Sequence, residues 1–344
     1  MLATVAGVLA AIVSGACLAI QSATNAALAV PLDSGLMASF FSFMGGVASL
    51  VLIFPFTLGQ IRRQKDAVSK PVRWWFWVCG GFIAAFFVTT GTFMGPKLGY
   101  GLFYASVIAG QLLMSLFVDH IAFMGLRRQP ATLWRCGSML IVLAGAMLAV
   151  ADKVDVSGIS VGRVVGYVIL SFVGGCLLAL QVPVNNAFTI RMGTLPHRTS
   201  LLGFCVGCVS VGTVWGISVG IRGDGLDNVN MDATKSWEFL GGVYGAFYLV
   251  CSVALAPVLG IAWFFVSVIA GQLLMSLLID TFGLFSSTVI PVSVMRIVGV
   301  LLVFLGAASF RLLPLRFSQT TKPAAAVPDP QEATPPEAYE VARV

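Results

Sequence analysis

The chain contains the segment SVIAGQLLMSL twice, at residues 106–116 and again at 267–277. Each copy is followed three residues later by an aspartate, Asp119 or Asp280. The offset is constant, because 272 − 111 = 161 for the glutamines and 280 − 119 = 161 for the aspartates. Solenoid repeats recur about every 20–50 residues. The offset of 161 residues is much longer and indicates a duplicated domain. Functional residues should therefore be sought in pairs.

The composition predicts that both copies lie in a membrane. Hydrophobic residues make up 58% of the chain and charged residues only 10%, against about 25% charged in soluble domains. The mean hydropathy is +0.96. A helix needs about 20 apolar residues to cross a bilayer. Ten such spans are predicted, at residues 5–28, 37–59, 74–95, 101–119, 135–151, 164–188, 200–221, 238–256, 261–280 and 295–312.

Five spans fall in each copy, and this odd number fixes the relative orientation of the copies. The second copy must enter the membrane from the opposite side, which makes an inverted repeat of the kind found in many secondary transporters. The predicted fold class is an all-α polytopic membrane protein with ten transmembrane helices as two inverted five-helix repeats. We expect the first repeat at 1–151, the second at 152–315 and a disordered cytoplasmic tail, rich in proline and alanine, at 316–344.

The lysines and arginines predict the orientation. We call the membrane side that holds the N-terminus side A and the other side B. The short loop between the second and third spans lies on side A and carries Arg62, Arg63, Lys65, Lys70 and Arg73. By the positive-inside rule side A is cytoplasmic, and both termini are then cytoplasmic. The net charge of +6 therefore reflects topology in a plasma or bacterial inner membrane, and we expect no nucleic-acid partner.

Two pairs of spans carry polar residues at helical spacing. Residues four apart share a face of a helix, and polar side chains at membrane depth mark pathways or helix contacts. The glutamines are predicted either to line a central substrate cavity or to join helices by hydrogen bonds. The aspartates lie near the span ends and are predicted either to act in coupling and gating or to cap local structure. A cation or hydrogen-bond donor is expected beside each carboxylate. The residues are Gln111, Ser115 and Asp119 in the fourth span and Gln272, Ser276 and Asp280 in the ninth.

The first and sixth spans form the second pair. Gln21 and Asn25 are four residues apart, and Gln181 and Asn185 repeat them with an offset of 160. Pro183 stands between the second two and removes one helical hydrogen bond. The glutamines and asparagines are predicted to contact substrate. Pro183 is a candidate for coupling or gating, with a simple packing kink as the alternative.

Other paired features are expected to be structural. The Pro-x-Leu-Gly segments at 96–99 and 257–260 predict tight links between antiparallel spans. Lys97 has no counterpart in the second copy and is predicted to anchor the membrane interface or to contact substrate. Arg135 and Arg296 each open the last span of a copy, and we expect them to extend towards lipid headgroups.

Several chemistries are not predicted. Cys205 and Cys208 lie in an apolar span with no second pair, and a zinc site normally needs four ligands. There is no GxxxxGK[ST] segment for ATP binding, and the two histidines suggest no nucleophile–base pair. We therefore expect no enzyme, no cofactor and no metal.

The repeated segment, the Pro-x-Leu-Gly links and the Gln21–Asn25 run together resemble the YdcZ-type family of the drug/metabolite transporter superfamily. The resemblance covers about residues 5–312 and implies a fused form of smaller five-span proteins that pair in opposite orientations. It implies export of small metabolites or drug-like solutes through a cavity between the repeats, with the paired glutamines, asparagines, serines and aspartates at the family's polar positions. Thr281 stands where the first copy has His120.

The predicted function is therefore secondary transport or export by alternating access. Its partners would be a small-molecule substrate and the lipid bilayer, and a homodimer is left open. The alternative is a non-transporting helical scaffold or assembly partner in which the polar residues only lock helices together.

Overall fold

The computed structural model describes residues 2–56, 72–125, 130–148, 160–222, 228–290 and 293–318. Every regular element within these ranges is a helix. The α-helices are Leu2–Ala29 (α1), Gly35–Ile53 (α2), Phe76–Leu98 (α3), Tyr100–His120 (α4), Leu133–Leu148 (α5), Val161–Met192 (α6), Pro196–Arg222 (α7), Gly241–Leu259 (α8), Ile261–Phe282 (α9) and Val294–Ser318 (α10).

The predicted all-helical membrane fold is confirmed. Within the ranges given above, eight helices are long and apolar enough to cross a membrane, whereas the apolar parts of α5 and α10 are shorter, at Leu133–Gly145 and Val294–Gly306. The second span was expected at about 37–59; α2 ends at Ile53, a 3-10 turn follows to Phe56, and the rest of the expected span lies outside the described residues. Of the expected disordered tail, residues 319–344 lie outside the described residues.

The two predicted tight links are present between α3 and α4 and between α8 and α9. Gly99 joins the first pair with a φ of 73°, and Gly260 joins the second with a φ of 86°. Glycine adopts this left-handed region without steric cost. Pro96 and Pro257 lie just before, in the last turns of α3 and α8. Each link therefore turns the chain directly into the next helix.

Two pairs of corresponding helices, α2 with α7 and α5 with α10, pack against each other in an antiparallel arrangement. In the α2–α7 pair Phe43 lies against Gly207, and Phe204 lies against Gly46. In the α5–α10 pair the indole of Trp134, at the start of α5, donates to the carbonyl of Ser309 on α10 (3.1 Å). Small residues let such helices approach closely where packing must hold a membrane protein together.

Another close helix contact occurs twice, and each repeat contributes the glycine once. Gly15 of α1 lies against the backbone carbonyl of Val268 on α9, and Gly175 of α6 lies against the carbonyl of Val107 on α4. Each residue differs from its counterpart by the repeat offset, since 175 − 15 = 160 and 268 − 107 = 161. The bundle is thus arranged about an approximate two-fold axis that exchanges the repeats.

Candidate functional site

A small cavity lies between the two repeats, on the approximate two-fold axis. Its volume is about 20 Å³, and we call it the central cavity. Its walls come from matching positions of both repeats, so that every residue has its counterpart across the cavity. The pairs are Leu18 and Leu178, Gln21 and Gln181, Phe43 and Phe204, Ala84 and Gly245, Phe87 and Tyr248, and Val88 and Leu249.

Gln21 and Gln181 supply the amides of the central cavity, and both are buried. The Gln181 amide donates to the backbone carbonyl of Gly80 on α3 (2.6 Å). The Gln21 amide donates to the hydroxyl of Ser42 on α2 at 3.4 Å, near the limit of a hydrogen bond. Although the two glutamines occupy equivalent positions of the repeats, their amides have different hydrogen-bond partners, and the bond from Gln181 is the shorter.

Asn25 and Asn185 lie one helical turn beyond these glutamines, towards opposite ends of the bundle. Asn25 packs over Gly241 at the start of α8, and Asn185 packs over Gly80 near the start of α3. Both amide atoms of Asn25 and the Nδ2 atom of Asn185 find no hydrogen-bond partner within the described residues. A buried polar group without a partner costs about 1–3 kcal/mol, so these amides mark places suited to a ligand or water.

The two repeated motifs therefore form one row of amides through the bundle. Asn25 lies towards side B, Gln21 and Gln181 lie at the centre, and Asn185 lies towards side A. α6 continues through Pro183 to Met192, so the proline does not end the helix between the two predicted contacts.

The other predicted amide pair lies elsewhere. Gln111 and Gln272 are fully buried but do not line the central cavity, and neither amide has a hydrogen-bond partner among the described residues. The hydroxyls of Ser115 and Ser276 donate to carbonyls of their own helices, at 2.9 and 3.0 Å. The assignment of these two glutamines and two serines to substrate binding stays a prediction.

The glutamines of this pair nevertheless lie at similar depth. The end of α9 touches the start of α4, and a helix rises 1.5 Å per residue. Gln272 is therefore about 12 Å from that contact along α9 and Gln111 about 16 Å along α4, a difference of less than one turn.

The expected cation beside each aspartate is an arginine of the same repeat. Arg135 binds the Asp119 carboxylate at 2.6 Å, and Arg296 binds Asp280 at 2.7 Å. The expectation that these arginines extend to lipid headgroups is wrong, since they are only 4% and 3% exposed. Because a buried carboxylate neutralises each guanidinium, the arginine side chain does not have to extend to water. The sequence signal was the equal spacing, 135 − 119 = 16 and 296 − 280 = 16.

The two aspartates differ in one respect. Asp280 also accepts hydrogen bonds from the first backbone amides of α4, those of Tyr100 (3.1 Å) and Gly101 (2.9 Å). A carboxylate is favourable at a helix N-terminus, where amides are free and the dipole is positive. Within the described residues the matching amide of Ile261 makes no such bond to Asp119. The carboxylate of the Asp280–Arg296 pair thus also ties the second repeat to the start of α4 in the first.

A much larger cavity opens at side B, and we call it the side B cavity. Its volume is about 840 Å³. The ends of α1, α3 and α9, the start of α4 and the segment before α8 enclose it. Lys97, Lys235, Glu238 and Asp280 contribute its charged groups. Ala26, next to Asn25, is also in its wall, so the row of amides leads towards this cavity.

Among the described residues at side A, aromatic side chains pack together, and we call them the aromatic cluster. Trp77 packs edge-on against Phe188 with ring centroids 5.2 Å apart. The guanidinium of Arg191 lies over the ring of Phe76 at 4.6 Å. Phe76 and Phe188 belong to one buried cluster, against which Phe123 packs. Among the described residues, the side B end thus holds a cavity with charged groups and the side A end holds an aromatic cluster.

Sequence reasoning missed Tyr248. Its hydroxyl is buried at the central cavity and has no hydrogen-bond partner within the described part of the chain. Its counterpart in the first repeat is Phe87, as 248 − 87 = 161. This departure from the repeat pattern at a cavity wall was the available signal.

Comparison with known proteins places these features in context. A family model whose description reads "Putative inner membrane exporter, YdcZ" matches the chain twice, at residues 6–148 and 166–309. A search of curated proteins gave no match. A solved structure titled "Crystal structure of protein" is 19% identical and covers 92% of this chain and 98% of its own, with a TM-score of 0.57. This last likeness concerns the fold alone.

Proposed function

The chain belongs to the YdcZ family of membrane exporters, and from this premise we propose that it is a secondary transporter that exports small solutes by alternating access. The protein is integral to the membrane, as its family and its apolar helices indicate. The observation that carries the proposal is the central cavity, whose walls pair every residue of one repeat with its counterpart in the other. A site on the symmetry axis can be reached equally well from either side.

The proposed topology has ten spans and two inverted repeats, divided at residue 151, with both termini in the cytoplasm. The antiparallel packing of α2 with α7 and of α5 with α10 supports the inversion, since equivalent helices of inverted repeats must run in opposite directions. The basic loop on side A supports the orientation. In this topology α5 and α10 cross the membrane beside each other, and residues such as Gly145 and Gly306 let them pack closely.

Alternating access needs two ends that open in turn around one site. The side B cavity and the aromatic cluster at side A match one half of such a cycle, open to the outside and closed to the cytoplasm. In the other half, separation of Trp77 from Phe188 would open side A, and closure of the α3–α4 link over α1 would fill side B. Asp119 and Asp280 serve as gating groups in this scheme, because each is paired near a helix end and neither lies at the central cavity.

The substrate class follows from the row of amides. Amides and the Tyr248 hydroxyl offer both donors and acceptors, and no charged side chain lines the central cavity. Neutral or zwitterionic solutes, or those with an apolar part that fits between Phe43 and Phe204, suit such a site better than polyanions.

The test is flux of a metabolite panel across liposomes that contain the purified protein. We expect Gln21→Leu and Gln181→Leu each to reduce flux of a transported compound about tenfold or more, since each removes an amide worth a hydrogen bond in a dry site. The double variant Gln111→Leu/Gln272→Leu is the comparison for amides outside the cavity. Equal flux for the wild type and the Gln21→Leu/Gln181→Leu double variant, for every compound, would refute the site.

A stability measurement on the same variants separates transport from the scaffold alternative. Gln181 bonds the carbonyl of Gly80 on another helix, which is the kind of contact a scaffold would use. If Gln181→Leu lowers the unfolding temperature while Gln21→Leu does not, and neither changes flux, the polar residues act only as links between helices.

A further inference from the structure

An apolar groove runs along the lipid-facing surface between α3 and α7, and we call it the lateral groove. Its volume is about 640 Å³. Its open face carries Phe82 and Val209, which are 55% and 70% exposed, and its floor includes Thr89 and Met94. The groove follows the middle of α3, from Phe82 to Met94, and Leu36 at the start of α2 also lines it.

Two residues at or next to the side B end of the groove differ between the repeats. Phe93 in its wall corresponds to Ala254 in the second repeat, since 254 − 93 = 161. One turn further, Lys97 corresponds to Val258. The bulky aromatic wall and the cation next to it are therefore both particular to the first repeat.

Lys97 lies where the lateral groove meets the side B cavity. The residue lines that cavity, while its ammonium lies 5.9 Å from the ring centroid of Phe93 and 5.2 Å from that of Tyr167. Arg163 precedes Tyr167 by one turn on the same face of α6, and it is exposed. Two cations thus stand at the side B rim of an otherwise apolar groove.

We infer that the lateral groove binds a single-chain amphipathic acid, with its chain between α3 and α7 and its carboxylate at Lys97. The volume falls within the range of about 300–1,000 Å³ of sites for small ligands. One apolar groove with a cationic rim matches a molecule with one chain and one anionic head. The inference rests on the proposed function and narrows its substrate class, because a ligand held here lies between the outer leaflet and the side B cavity.

The experiment uses the full chain in nanodiscs of neutral phosphatidylcholine. A palmitate with a photoreactive diazirine in its chain is compared with the corresponding palmityl alcohol, and cross-linked residues are located by mass spectrometry. We expect cross-links on residues 82–94 and 209–214, with the acid exceeding the alcohol by about three- to fivefold, the size of an exposed ion pair.

Variants of Lys97 test the head-group contact. Lys97→Met should reduce labelling by the acid to the level of the alcohol, and Lys97→Arg should keep it. Thr89→Trp should block the groove, whereas Val250→Trp, at the matching and equally half-buried position of the second repeat, should leave labelling unchanged. If Thr89→Trp does not fold, the Lys97 pair decides the question.

Three results would overturn the inference. The first is labelling of the groove that is the same for acid and alcohol and insensitive to Lys97→Met, as bulk lipid would give. The second is labelling spread evenly over all lipid-facing helices. The third is displacement of the probe by added phosphatidylglycerol but not by excess free palmitate, which would assign the groove to an anionic phospholipid.

The assay does not depend on transport. Groove labelling without flux in liposomes would therefore reject only the proposed function, and flux that depends on Gln21 without groove labelling would reject only this inference.

Discussion

The unequal roles of the two buried ion pairs lead to a quantitative prediction. Asp119→Leu leaves the guanidinium of Arg135 buried without its partner, which costs about 3–5 kcal/mol. Asp280→Leu leaves Arg296 in the same condition, and it also removes the acceptor of two backbone amides of α4. Bonds to a charged group contribute about 1.5–3 kcal/mol each. Those amides lie beside the side B cavity, where water can replace part of the lost hydrogen bonding. We therefore expect Asp280→Leu to lower the free energy of unfolding by about 2–4 kcal/mol more than Asp119→Leu does.

The double variants isolate the helix cap from the ion pair. Replacing both partners of a buried pair with apolar residues is often close to neutral, so Asp119→Leu/Arg135→Met should recover most of the stability. Asp280→Leu/Arg296→Met should recover only the part due to the unpaired arginine and should remain destabilised, because the start of α4 still lacks its carboxylate.

The measurement is the free energy of unfolding of the purified protein in mixed micelles, from titration with a denaturing detergent. The reasoning is refuted if the two aspartate variants lose the same stability, or if both double variants recover to the same level. Either result would mean that the bonds from Tyr100 and Gly101 to Asp280 contribute nothing beyond the ion pair.

Three further predictions concern packing, the central cavity and topology. Gly15→Ala places a methyl group against the Val268 carbonyl and should lower stability by about 1–3 kcal/mol, whereas Gly166→Ala, with open space around it, should raise stability by up to about 1 kcal/mol; thermal unfolding of the two variants checks this. Tyr248→Phe removes a buried hydroxyl without a partner and should leave the unfolding temperature unchanged or higher, while it shifts the relative flux of hydroxylated and apolar solutes in liposomes. In a cysteine-free background, Asp232→Cys should react with an impermeant maleimide in intact cells and Thr132→Cys only after permeabilisation; the reverse pattern would contradict the proposed orientation.

Much of the fold could be predicted because it depends on local sequence. Apolar stretches of sufficient length give helices in a membrane, where backbone groups must bond within their own segment. The repeated Pro-x-Leu-Gly segment gave the positions of Gly99 and Gly260, since glycine alone takes a positive φ freely. The duplication gave the pairing of residues and, with the span count, the expectation of inversion.

The ion pairs could not be predicted from local sequence in the same way. The equal spacing of Asp119 from Arg135 and of Asp280 from Arg296 was visible, but an arginine at a membrane edge ordinarily reaches headgroups. Whether it turns inwards depends on a carboxylate within reach, and that distance is set by how α4 packs on α5. The bond from Asp280 to the start of α4 joins residues 180 positions apart, which no local pattern records.

The choice between the two amide pairs also belonged to the tertiary structure. Hydropathy and the helical rise place Gln111 and Gln272 near the middle of their predicted spans, so the sequence by itself determined the depth of that pair. It did not determine which amides share a cavity, because lateral neighbours depend on which helices cross. Those crossings are set by close backbone contacts such as that of Gly15 with Val268, and they bring Gln21 and Gln181 to the axis while Gln111 and Gln272 stay outside the central cavity.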